Sequence, residues 1–144
     1  MPDVIYTITS DEAEKIAVAA KAEMAPRKLN TGCVVVMARD GGSAVPRALL
    51  THGNVVEAGF NDAGWLASEV IKTGHSIPDI TKRERVPESV DAGVVSGAFK
   101  MYLHELRDPE GWVGVISVYG STAKQINNIC KVAAAAAGLF IDVA

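Results

Sequence analysis

Hydrophobic residues near the start of the chain follow the spacing of an amphipathic helix. The segment Thr9-Ser10-Asp11-Glu12 fits a capping box, in which the Thr9 hydroxyl and the Glu12 carboxylate satisfy free amides of the first turn. Pro26 is expected to end the helix. Apolar side chains between these two signals recur every three or four positions, at Ala13, Ile16, Ala17, Ala20 and Met24.

Two strands are predicted next. Cys33–Ala38 is an unbroken apolar run rich in valine, which is typical of a central strand buried on both faces. Arg39–Ser43 has the composition of a turn. Val45–Thr51 is predicted to return as the neighbouring strand, and Pro46 either places that strand toward an edge of the sheet or delays its start.

The middle of the chain predicts a second helix followed by a loop. Asn61 or Asp62 is suited to cap the helix, and Gly74 is suited to its C-terminal end. Residues 75–92 contain two prolines and mixed charges, which favour a loop. The apolar positions of the helix are Trp65, Leu66, Val70 and Ile71.

The last third of the chain predicts a hairpin and a closing helix. Apolar and polar residues alternate from Val94, with Phe99 and Met101 on one side and Lys100, Tyr102 and His104 on the other, as in a half-buried strand. Asp108–Gly111 is turn-like, and Trp112–Tyr119 provides the partner strand. Thr122–Gln125 resembles a capping box. The helix that follows has its buried positions at Ile126, Ile129, Cys130, Ala133 and Ala137.

These elements predict an α+β fold in one domain, residues 1–144. The order is α-β-β-α-β-β-β-α, and a single antiparallel sheet of about five strands with helices packed on it is the natural arrangement. Strands that come in hairpin-like groups, without one helix per strand, argue against a Rossmann fold.

Composition narrows the class of protein. A formal net charge of -3 argues against a nucleic-acid partner. The chain has no apolar run near the roughly 20 residues of a membrane span, and its start does not resemble a signal peptide. We therefore expect a cytoplasmic protein. Cys33 and Cys130 form no CxxC or Cys/His pattern, so buried thiols are expected instead of a metal site.

Three groups of residues are candidates for binding or catalysis. Tyr119, Gly120, Ser121 and Thr122 join the last predicted strand to the last helix, where amides and hydroxyls could hold an anion, although such hydroxyls more often only cap a helix. In the second group, Arg39-Asp40-Gly41-Gly42, the arginine could grip a carboxylate, although a surface turn explains the same residues. Lys72 and His75 could supply charge and a proton-transfer group, and His75 could ligate heme iron, although a cation at a helix C-terminus is also favourable by itself and a single histidine is more often structural.

Four segments resemble the GlcG and heme-binding-protein-S-like domain family. They are TSDEAEKIAVAAKAEM, VVVMARDGG, ASEVIKTGHS and GWVGVISVYGSTAKQINNICKVAAAAAG. The resemblance implies a sheet of about five strands, assembly into homo-oligomers and binding of a small ligand. Some family members bind heme, one branch is fused to corrinoid adenosyltransferases, and others are lyases for hydroxylamino-aromatic acids.

Two functions follow as hypotheses, with an assembly or regulatory domain as a third. The first is a binding domain that holds heme or a small acidic or aromatic molecule. The alternative is a cofactor-independent lyase or isomerase acting on a small aromatic or hydroxy acid. In the enzyme, His75 would move a proton, Lys72 or Arg39 would hold the carboxylate, and Tyr119 would donate to an oxyanion.

Overall fold

The computed structural model describes residues 8–24, 26, 31–40, 43–53, 57–73, 76–80, 95–102, 112–121 and 123–141. The elements, in chain order, are α1 (Ser10–Met24), β1 (Thr31–Asp40), β2 (Ser43–Gly53), α2 (Glu57–Thr73), β3 (Ile77–Ile80), β4 (Val95–Tyr102), β5 (Trp112–Ser121), α3 (Ala123–Ala135) and β6 (Phe140–Ile141).

The described strands form one antiparallel sheet in the order β2-β1-β5-β4-β3, and the short β6 pairs with β4 at Met101 and Tyr102. The predicted α+β class and the single antiparallel sheet are confirmed. Pro46 lies in the edge strand β2, at an irregularity in the pairing with β1, which is where proline is tolerated in a sheet. The register between β1 and β2 shifts between Val36 and Met37.

Helices cover both faces of the sheet. On one face, α1 and α3 pack against alternate residues of the central strands, among them Val34, Val36, Phe99, Met101, Ile116 and Val118. On the other face, α2 packs against the residues between them, among them Cys33, Val35, Met37, Ala98, Val115 and Tyr119. The sheet is therefore buried on both sides, as the apolar run Cys33–Ala38 predicts.

The alternation predicted for β4 is confirmed, but the half-buried strand is not. Phe99 and Met101 face α1 and α3, while Tyr102 faces α2. Because α2 covers that second face, Lys100 is only 7% exposed and Tyr102 is 3% exposed. The face of β4 that carries Lys100 and Tyr102 is therefore part of the protein interior.

The helix starts are predicted well in one case and poorly in another. The Thr9 amide donates to Glu12 Oε1 at 3.1 Å, and the Glu12 amide donates to Thr9 Oγ1 at 3.2 Å, which confirms the capping box. In contrast, α2 begins at Glu57, so Asn61 and Asp62 lie inside the helix and do not cap it.

The predicted loop at 75–92 contains a strand that sequence reasoning missed. β3 pairs with the outer edge of β4, with Ile77 opposite Ala98 and Ile80 opposite Ser96, so this edge of β4 gains backbone partners. Residues 81–92 lie outside the described part of the chain, as do Gly74, the turn at 108–111 and Thr122. No described helix is both long and apolar enough to span a membrane.

Candidate ligand-binding site

Arg39 and Trp112 are in contact on the sheet face that α2 covers. The guanidinium carbon of Arg39 lies 4.0 Å from the centroid of the Trp112 ring. Its Nη1 also donates a hydrogen bond to the Trp112 carbonyl oxygen at 3.3 Å. Arg39 follows Met37 by two residues on β1, and alternation in a strand places both side chains on the same face. The planar guanidinium is thus held near the end of β1.

Lys100 adds a second positive charge to the same surroundings. Its Nζ lies 5.6 Å from the centroid of the Tyr102 ring and 6.0 Å from that of the Trp112 ring. These distances fall near the limit for cation–π attraction. Burial of an ammonium carries a desolvation cost, which contacts with aromatic rings and polar groups offset.

Lys100 is absent from the candidates drawn from the sequence, because the alternation of apolar and polar residues puts it on the polar side of β4. A signal was present in the partner strand. Trp112–Tyr119 is apolar except for Gly114 and Ser117 and carries no charge, which indicates a second central strand buried on both faces. A strand paired with it, as β4 is, has its second face next to buried surface.

An open cleft of about 450 Å³ lies on the β2 side of the same face. The cleft is shallow and open to solvent, so it can contact one side of a small molecule. Leu49 is 52% exposed at this edge, and Gly64 on α2 has open space where a side chain would project. The residues lining the cleft are Val35, Met37, Pro46, Arg47, Ala48, Leu49 and Gly64.

Tyr119 and Arg39 lie at opposite ends of the sheet. Tyr119 is 2% exposed and pairs with Cys33 near the start of β1, whereas Arg39 is near its end. Six residues of extended strand separate Cys33 from Arg39, which corresponds to about 20 Å. Gly120 beside Tyr119 has a φ of 119°, a conformation that favours glycine. The sheet therefore does not bring Arg39 and Tyr119 together.

The other predicted site residues are dispersed over the fold or lie outside the residues that the structure describes. Asp40 and Ser121 are the last residues of β1 and β5. Lys72 is exposed on the last turn of α2. Gly41, Gly42, His75 and Thr122 are not among the described residues, so their roles stay predictions.

Ser117 is a buried polar residue beneath α2. It pairs with Val35 on one side and Ala98 on the other. Its side chain is fully buried, and its hydroxyl has no hydrogen-bond partner within the described part of the chain. Such a group costs free energy unless something satisfies it.

The two thiols belong to different cores. Cys33 packs with α2, whereas Cys130 packs in the core formed with α1 and α3. Burial raises the pKa of Cys33 to about 12 and also raises the pKa of Cys130. Both thiols are therefore protonated and weakly nucleophilic at neutral pH.

A solved structure has a similar fold. It is described as a PduOC:heme complex, and it superimposes with a TM-score of 0.64 at 12% sequence identity. The alignment covers 93% of this chain and 97% of that chain. No family model matches the chain, and no curated protein matches its sequence. At this level of identity the likeness shows a shared fold.

Proposed function

We propose that this chain is a small-ligand-binding domain of the GlcG and heme-binding-protein-S-like type. Its ligand is heme or a small acidic or aromatic molecule, and the domain acts as a homo-oligomer. The observation that carries the proposal is the stack of Arg39 on Trp112 beside the buried Lys100. The heme complex formed by the structural neighbour gives independent support for a ligand of this kind.

The chemistry of this cluster suits a carboxylate. A guanidinium presents its N–H donors in a planar fork that matches a carboxylate, and stacking on an indole orients that fork in advance. Lys100 adds a point charge at a position that is largely shielded from solvent, where charge-assisted hydrogen bonds are stronger than in water. Heme combines an apolar ring with two carboxylates, and small aromatic acids have the same two parts.

An absorption titration with hemin tests the proposal. We expect a saturable Soret shift, and we expect Arg39→Met and Lys100→Met each to weaken binding by roughly tenfold or more, the scale of a charged hydrogen bond. Lys21→Met removes one exposed charge from α1 on the other side of the sheet and is the matched control. A hemin spectrum unchanged by the wild-type protein, together with no binding of small aromatic acids, would refute the function.

Assembly is the second part of the proposal. Exposed apolar side chains on the helix layer, Val18 on α1 and Val132 on α3, would be covered by another subunit. Sedimentation analysis across a range of concentrations should detect a dimer or larger species. A monomer at every concentration would remove this part and leave ligand binding untouched.

A further inference from the structure

We infer that the cleft beside Gly64 holds the apolar body of the ligand, while the ligand's acid group points toward Arg39. The inference rests on the proposed function and specifies its binding site. It commits to one class of occupant, an amphipathic organic acid with a flat or rod-like apolar part.

Met37 connects the cleft with the cationic cluster. It lines the cleft, and Arg39 is the next residue of β1 on the same face. Residues two apart in a strand are separated by about 7 Å. A molecule lying over Met37 therefore brings a terminal carboxylate within reach of the Arg39 guanidinium without entering the core.

The lining of the cleft matches the two parts of such an acid. Val35, Met37, Pro46 and Leu49 provide apolar contact, and Leu49 is half exposed in the protein alone. Among the lining residues Arg47 carries the charge, so both arginines near the cleft favour an anion. A neutral apolar molecule would make the apolar contacts with the cleft but would not interact with the charges of the two arginines.

Gly64 provides the space for this ligand. It lies inside α2, where glycine costs roughly 0.5–1 kcal/mol relative to alanine. A Cβ at this position would meet no atom within 4 Å, so packing within the subunit does not require glycine here. The absence of a side chain instead keeps the cleft open on the α2 side.

Filling the cleft is the direct experiment. The probes are anilinonaphthalene sulfonate, which has an apolar body and an anion, and the neutral phenylnaphthylamine. We expect Gly64→Phe to weaken both probes by more than tenfold. The matched control is Ala22→Phe, which adds the same ring at an exposed position of α1 on the other side of the sheet and should bind both probes as the wild type does. Arg39→Met should weaken the anionic probe alone. Near-ultraviolet circular dichroism and melting curves check that each variant is folded.

Leu49→Gln provides a second variant at an exposed position that does not endanger folding. It should weaken both probes several-fold. Unchanged affinity in folded Gly64→Phe and in Leu49→Gln would overturn the inference. If Arg39→Met still weakened hemin in that case, the proposed function would stand and only the location would be wrong. If wild-type protein bound neither hemin nor the anionic probe, the proposed function itself would fail.

Discussion

Arg39 makes two contacts with Trp112, one with the indole ring and one with the backbone carbonyl group. The guanidinium carbon is 4.0 Å from the ring centroid, and Nη1 donates to the carbonyl oxygen at 3.3 Å. The two residues are 73 positions apart in sequence and lie near the end of β1 and at the start of β5. The contact therefore links two neighbouring strands at one end of the sheet and fixes the orientation of the guanidinium before any ligand arrives.

Ser117→Ala is expected to raise the free energy of unfolding by about 1 kcal/mol, because it removes a buried hydroxyl that lacks a described partner. Urea denaturation measures the change. Ser76→Ala is the matched control with the opposite sign, since Ser76 Oγ accepts a hydrogen bond from the Lys100 amide at 2.9 Å. A loss of stability in Ser117→Ala as large as in Ser76→Ala would mean that the hydroxyl is satisfied.

Gly114→Ala is expected to destabilise the fold by about 1–3 kcal/mol through overpacking. A Cβ at this position would stand 2.5 Å from the Met37 carbonyl oxygen and would also meet the Ile8 side chain. Gly64→Ala makes the same chemical change in open space and should instead stabilise α2 by roughly 0.5–1 kcal/mol. Thermal melts of the two variants should shift in opposite directions, and shifts of the same sign would contradict this packing.

The buried thiols predict a loss of stability at alkaline pH. A thiol in the unfolded chain ionises near its ordinary pKa of 9.0, whereas burial raises the pKa of Cys33 to about 12. Between these values the folded protein binds more protons than the unfolded chain, so stability falls as pH rises above about 9. The fall should be smaller in a Cys33→Ala, Cys130→Ala double variant, and equal slopes for both proteins would contradict the burial of the thiols.

Local signals in the sequence predict much of this fold. The capping box of Thr9 and Glu12, the two-sided burial of Cys33–Ala38 and the edge position of Pro46 each follow from chemistry within a few residues. The predicted start of α2 is wrong. Asn61 and Asp62 are residue types that favour helix caps, but here they lie inside a helix that packs on the sheet, because tertiary packing overrides local preference.

The candidate site is harder to predict because it depends on contacts between distant elements. Arg39 was identified from its residue type, but its stack on Trp112 requires the pairing of β1 with β5. Lys100 looks solvated until α2 is placed over β4. The role of Gly64 depends on its position beside the cleft residues of β1 and β2, so no pattern within α2 predicts it.

The central claim is that an acid binds beside Arg39. A titration with naphthoate tests it most directly, with the indole N–H resonances of the two tryptophans as the readout. Trp65→Phe assigns the signals. The account predicts that the Trp112 resonance shifts saturably in the wild type and stays in place in Arg39→Met, with Lys21→Met behaving as the wild type. A Trp112 resonance that does not move, or one that moves equally in Arg39→Met, would contradict it.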